Sequence, residues 1–427
     1  MSLNQTPSGE RLHISIFGRR NSGKSSLINA LTGQKVAIVS EVPGTTTDPV
    51  TKAMEILPIG PVVITDTAGI DDVGALGELR VEKTLRVLEK TDLAVLIVES
   101  GQTPSEWEDK LAKMVKERKI PMVVVEGKTD LGQISQISPI EFWAKERQLP
   151  FTAASAVTGE GIEALKQAMI ASAPEGFAEP TIIGDLISPG DAVVLVVPID
   201  KAAPKGRLIL PQVMTLRDAL DHDAYSVVVK ERELKAALAN LNRKPKIVIT
   251  DSQAFLKVAA DTPRDVWMTS FSILMARYKG NFEEFVAGAR ALKRLKIGDR
   301  VLISEGCTHH RQQDDIGTVQ IPRWLRQMVG GELEFGFSSG IEFPDDFKTY
   351  KLIIHCGSCT LNRREVLYRQ QMAREGGIPM TNYGIALAFV HGILDRALEP
   401  FPLAKALWDE SPEKPSRPRM KIARTSG

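Results

Sequence analysis

The stretch LHISIFGRRNSGKSSLINAL, residues 12–31, constrains the chain more than any other. It alternates like a strand, breaks at glycine, and then takes up the apolar period of a helix, which predicts strand, tight loop and helix in immediate succession. Within it Gly18, Gly23, Lys24 and Ser25 fit G-x-x-x-x-G-K-[ST]. In that pattern the glycines let backbone N–H groups wrap phosphates at a helix N-terminus, the lysine reaches the β- and γ-phosphates, and the serine ligates Mg²⁺. Asn21, Ser22 and Ser26 belong to the same turn and join the candidate nucleotide-binding residues.

Later segments choose the base. PVVITDTAGI, residues 61–70, reads as a buried strand ending in D-x-x-G, so Asp66 is expected to hold Mg²⁺ through water and the Gly69 N–H to sense the γ-phosphate. PGTTTD, residues 43–48, supplies threonines, Thr46 among them, able to close over that phosphate and reach the metal. IPMVVVEGKTD runs as a strand into Lys128 and Asp130, which resemble an N-K-x-D box in which the Asp pairs with guanine and the Lys stacks over it. FTAASAVTGEGI then offers Ser155 and Ala156 to cover the base oxygen. One position departs. Gly127 stands where the asparagine of that box would tie the base loop to the phosphate loop, and losing a hydrogen bond or two, at about 0.5 to 1.5 kcal/mol each, is expected to weaken guanine binding while Asp130 keeps its specificity.

On these boxes, residues 8–172 resemble a GTPase of the Era and TrmE-like group within the Ras-like fold. The resemblance implies binding of GTP and GDP with Mg²⁺, and slow hydrolysis. Ile70 follows the D-x-x-G, as in the subgroup with a hydrophobic residue where others carry a water-orienting glutamine. In potassium-activated members a loop asparagine and a G-T-T-containing switch coordinate K⁺, and Asn21 occupies that asparagine's position; the alternative is that Asn21 only caps the loop locally.

Beyond the first domain, SAPEGFAEPTI at 172–182 reads as a linker, and apolar strands near residues 191, 225 and 246 separated by helical patterns predict a small parallel α/β domain over 180–262. No catalytic constellation falls in it, and an interaction surface for a homodimer is the expected role, with plain structural filler as the alternative. A third α/β domain is expected over 265–400, followed by a solvated tail over 409–427 rich in proline and basic residues. The charge balance of 54 basic against 53 acidic residues gives no global pull on nucleic acid. The longest apolar run, AVVLVV at 192–197, is far short of the roughly 18 residues a membrane span needs, so a soluble cytoplasmic protein is expected. Three cysteines suit a reducing compartment better than a disulfide framework.

All three cysteines and three of the six histidines gather late in the chain, in GCTHHR (306–311) and IIHCGSCT (353–360). Two apolar strands, DRVLIS and YKLIIH, run into these cysteines, and neighbouring strands would bring Cys307 and the Cys356/Cys359 pair to one sheet edge. Three thiolates and an imidazole suit either a closed Cys₃His zinc site or an iron–sulfur cubane with one open iron, and residue types alone favour zinc. A redox-active pair is the third option. With a GTPase in front, however, the C-x-H … H-C-x-x-C arrangement resembles the HydF family, the maturation GTPases of [FeFe]-hydrogenase. That resemblance spans essentially the whole chain. It implies a [4Fe–4S] cluster on Cys307, Cys356 and Cys359 with a replaceable fourth ligand, for which His309 comes first and His310, His355, Asp314 and Asp315 compete. It also implies a diiron precursor as cargo, assembled with two radical-SAM maturases and handed to apo-[FeFe]-hydrogenase. The competing reading is an RNA- or ribosome-associated GTPase with a structural zinc module.

Overall fold

The computed structural model describes residues 8–32, 50–56, 59–67, 86–131, 138–174, 181–198, 208–306, 315–340 and 343–410. Contacts within the chain divide it into two compact units, Met1–Glu179 and Pro180–Gly427.

The first unit is a six-stranded sheet in the order β2-β3-β1-β4-β5-β6. Its strands are β1 (Leu12–Phe17), β2 (Val50–Ile56), β3 (Gly60–Asp66), β4 (Leu93–Glu99), β5 (Met122–Gly127) and β6 (Phe151–Ala154). Only β2 runs antiparallel, against β3. The central strands β3, β4 and β5 are apolar and buried along most of their length because both faces are covered, whereas the edge strand β2 carries Lys52 and Glu55. On β4, Leu93, Val95 and Ile97 join the core that holds Leu27 and Leu31 of helix Lys24–Thr32, whereas Ala94, Leu96 and Val98 face the core that holds Leu111, Val115 and Ile140. The period of two thus sends one strand's side chains into two different cores.

The second unit holds two parallel four-stranded sheets. In the first, β7 (Ala192–Val196), β8 (Tyr225–Val229), β9 (Ile247–Thr250) and β10 (Trp267–Ser270) take the order β10-β9-β7-β8. In the second, β11 (Arg300–Glu305), β12 (Glu334–Ser339), β13 (Leu352–His355) and β14 (Met380–Asn382) take the order β12-β11-β13-β14. Strand β10 extends the first sheet past residue 262, where the sequence reading ends that region, and one hydrophobic core runs through both sheets. At the far end, helix Pro402–Asp409 reaches into the segment expected to be tail, and 411–427 lies outside the described residues. Among the described residues no helix is long and apolar enough to cross a membrane.

Candidate functional site

Strand β1 delivers the chain to a loop shaped by its glycines. A methyl group on Gly18 would stand 2.5 Å from the Ile97 carbonyl oxygen and 2.6 Å from Ser22 Oγ, and Gly23 has φ +95°, so neither position tolerates a side chain. Asn21 also sits in the left-handed region, at φ 59°. The buried Lys24 Nζ donates to the carbonyl oxygens of Gly18 (2.9 Å) and Arg19 (2.7 Å), which holds its ammonium inside the loop. Ser22 Oγ is buried and finds no hydrogen-bond partner among the described residues. A cradle with a fixed cation and an unsatisfied donor fits a phosphate.

Two of the Mg²⁺ candidates touch: Ser25 Oγ donates to Asp66 Oδ2 at 2.5 Å. Burial raises the Asp66 pKa, against the Ser25 hydrogen bond and the Lys24 charge, which is the environment a divalent cation would reverse. Thr46, Gly69 and Ile70 lie outside the described residues.

At the base end, Lys128 follows β5 with φ 58° and its Nζ pairs with Glu99 Oε2 at 3.0 Å. Ser155, fully buried, donates to Asp130 Oδ1 at 2.6 Å, while its Oγ accepts from the Val157 and Thr158 N–H groups. This orients the Asp130 carboxylate and fixes the turn that carries Ala156. Sequence reasoning missed one tie in this region. Arg19 donates from Nε and Nη2 to the two carboxylate oxygens of Glu108, at 2.8 and 2.9 Å, anchoring the phosphate loop to helix Glu106–Glu117. Burial acts to raise the Glu108 pKa, but Arg19 and Ser105 bring it below its ordinary value. The signal was present, since Ser105 and Glu108 form an S-x-x-E capping box.

The cysteine region lies at the carboxyl edge of the second unit's second sheet. Strands β11 and β13 are neighbours, with Ser304 opposite His355, so the chain leaving β11 passes the chain leaving β13. There the N–H groups of Gly306 and Ser358 donate to Cys356 Sγ, at 3.0 and 3.3 Å, and Thr360 Oγ1 donates to the Gly306 carbonyl oxygen at 2.9 Å. Ser358 reaches its place through φ 57°. Burial pushes the Cys356 thiol up from its ordinary value, and the two N–H donors pull the other way, ready to support the thiolate a metal demands. Cys359 is half-buried, and neither it nor Cys356 forms a disulfide. Cys307, His309, His310 and Asp314 lie outside the described residues, and among those described no group of three or more His, Cys, Asp or Glu could hold a metal ion.

Two candidates for the fourth ligand look different once placed. His355 is fully buried with both ring nitrogens engaged. Arg369 Nη1 can only donate to Nε2, at 3.0 Å, so the proton sits on Nδ1, which faces the Cys356 carbonyl at 3.1 Å and Ser358 Oγ at 3.0 Å. Burial and then the Arg369 charge lower its pKa to about 3, so the ring stays neutral. In this arrangement His355 shapes the loop behind Cys356. Asp315 in turn spends Oδ2 on the N–H and Oγ1 of Thr318, both at 2.9 Å. Arg369 itself is 1% exposed and pairs with Glu365 at 3.0 Å. Removing one partner of such a buried pair costs about 3 to 5 kcal/mol. Arg369→Met is therefore expected to lower the melting temperature clearly, which differential scanning calorimetry would register; an unchanged melt would mean that the network carries no stability.

Comparison with known proteins adds lineage to this geometry. Residues 13–128 match a sequence model described as 50S ribosome-binding GTPase. The tRNA modification GTPase MnmE of Nitrosomonas europaea is 35% identical over 165 residues, 38% of this chain and 35% of that protein. GTPase Era of Heliobacterium modesticaldum is 34% identical over 171 residues, 38% of this chain and 55% of that one. The chain thus spans between a third and about half of these curated relatives. Among solved structures, Era from Aquifex aeolicus bound to GDP and aluminium fluoride overlaps 59% of this chain and 99% of its own, at 20% identity and a TM-score of 0.35. Residues 182–280 match the hydrogen maturase F dimerization domain, and 283–400 match the hydrogen maturase F tetramerization domain. The chain belongs to the hydrogen maturase F family. Its first unit is the GTPase domain, and its second carries the family's two oligomerization domains, with the cysteine edge inside the stretch matched as the tetramerization domain.

Proposed function

We propose that this protein hydrolyses GTP and carries a [4Fe–4S] cluster with a diiron precursor, which it delivers to apo-[FeFe]-hydrogenase after assembly with two radical-SAM maturases. Cys307, Cys356 and Cys359 hold the cluster, and His309 is the exchangeable fourth ligand. The cluster supplies an open iron to which cargo can attach, and an imidazole there, weaker on iron than a thiolate, can be displaced. The observation that carries this reading is the pair of backbone N–H groups aimed at Cys356 Sγ, where the strand leading to Cys307 passes beside it. Hydrogen bonds to sulfur are one of the means by which a protein tunes such clusters. Anaerobically purified protein is expected to be brown and to contain about four iron and four sulfide per chain. A colourless protein carrying stoichiometric zinc would overturn the reading.

The functional division into 8–172, 180–262 and 265–400 with a tail from 409 belongs to the same proposal, as do a cytoplasmic location and a homodimer. For the dimer, β8 is the edge strand of its sheet and leaves Tyr225 47% and Val228 43% exposed, an apolar edge suited to a second copy.

Asn21, held in a left-handed turn of the phosphate loop, is the K⁺ ligand of this proposal. Hydrolysis is expected to run several-fold faster in KCl than in NaCl at equal ionic strength, and Asn21→Ala to erase that difference while GDP still binds. Equal rates of the wild type in the two salts would leave Asn21 with a local capping role.

A further inference from the structure

Gly127 is the place where this chain departs from the N-K-x-D pattern, and backbone torsion does not explain it, because its φ lies outside the left-handed region. Space does. A methyl group on Gly127 would stand 2.7 Å from Cδ1 and 2.9 Å from Cγ1 of Ile97, and 3.4 Å from the Ser22 carbonyl oxygen. Ile97 belongs to β4, the strand between β1, which enters the phosphate loop, and β5, which ends at Gly127. The same side chain lies 2.8 Å, through Cγ2, from a methyl placed on Gly18 and 3.8 Å, through Cδ1, from one placed on Gly23. It therefore fills the gap beneath both ends of the phosphate loop and beneath the first residue of the base box. The Lys128 stem completes the junction, with Cγ and Cε each 3.9 Å from the methyl position on Gly23.

We infer that Ile97 is the positioning residue of the guanine site: it joins the base loop to the phosphate loop by packing, in the volume an asparagine at position 127 would need. The inference rests on the GTP-binding reading above. Gly127 and Ile97 are then one solution, and neither can change alone. An asparagine inserted at 127 meets a close-packed isoleucine at 2% exposure and must displace it, moving the loops it was meant to join. An alanine at 97 leaves a void that lets the two loops move independently.

The test is GDP affinity, by isothermal titration, for Ile97→Ala, Gly127→Asn and the double variant in the full-length protein, with ADP as control. Each single substitution is expected to weaken GDP binding about tenfold, and the double variant to return within about threefold of wild type. Recovery by the second substitution is something two independent destabilisations could not produce. Should Gly127→Asn fold poorly, Gly127→Ala, with and without Ile97→Ala, reads the same clash through a single methyl group. Additive losses in both pairs, or a Gly127→Asn protein that binds GDP as well as wild type does, would overturn the inference. A wild-type protein that binds no GDP would instead sink the nucleotide reading on which it rests.

Discussion

Lys24→Ala is expected to abolish GTP turnover, lowering the rate by at least about a hundredfold, and to leave the iron content untouched. The lysine is already oriented before any phosphate arrives, since its Nζ is buried and held by two carbonyls of its own loop. Binding exchanges those carbonyls for phosphate oxygens, so the charge is in place when negative charge shifts during transfer, and alanine leaves only backbone N–H groups. Iron should stay because Lys24 and the cysteines belong to separate compact units, each with its own core, and sites that share no packed partners respond independently to substitution. Phosphate release and iron analysis on one preparation check both halves. A folded Lys24→Ala protein that had lost its iron would refute this modular account.

The nucleotide site was legible because its signals are local. Each box lies within a few residues at a strand end, where the backbone largely places the side chains: Lys24 bonds back to Gly18 within its own loop, and Ser25 at the end of that loop reaches Asp66 at the end of β3. The pairing of β11 with β13 was legible for a similar reason, as two apolar runs each delivered a cysteine. Strands β10, β12 and β14 were not. β14 has only three residues, β10 (WMTS) turns polar halfway along, and β12 is interrupted by Gly336 and ends in serines.

Helix Arg363–Glu375 hides its burial in another way. Its composition reads as a solvated face, yet Glu365, Arg369 and Gln370 are buried, forming a polar stripe at helical spacing. The stripe is sustained by partners far off in sequence: Arg369 meets His355, fourteen positions away, and Gln370 accepts from the Asn281 N–H at 2.7 Å. Such complementarity is decided by tertiary placement, and a hydrophobic pattern cannot encode it. The same blindness hid the reason for Gly127. Sequence shows an absent amide, whereas the structure sets Ile97 against the position that a Cβ at 127 would take.

Replacing each of Cys307, Cys356 and Cys359 by serine is expected to remove most of the iron, whereas His309→Ala should keep it. Three thiolates are the minimum that holds a cubane, and a hydroxyl is a poor substitute for any of them. At Cys356 the N–H groups of Gly306 and Ser358 both point at the sulfur, and serine presents a hard oxygen there in place of the soft thiolate those donors support. The histidine differs in kind. If its imidazole is an exchangeable ligand, water or a neighbouring side chain takes the open iron when it is gone, so iron content stays near wild type while the electron-spin signals change. His355, engaged by Arg369 on one side and by the Cys356 carbonyl and Ser358 on the other, is not the group expected to step in. GTP hydrolysis should be unchanged in all four variants. A structural Cys₃His zinc site makes the opposite demand, since there all four ligands carry folding energy and His309→Ala would lose metal and stability about as badly as the cysteine variants. Metal analysis and thermal melts of the four anaerobically purified proteins separate the two outcomes, and equal metal loss across all four would exclude a cluster with an exchangeable histidine.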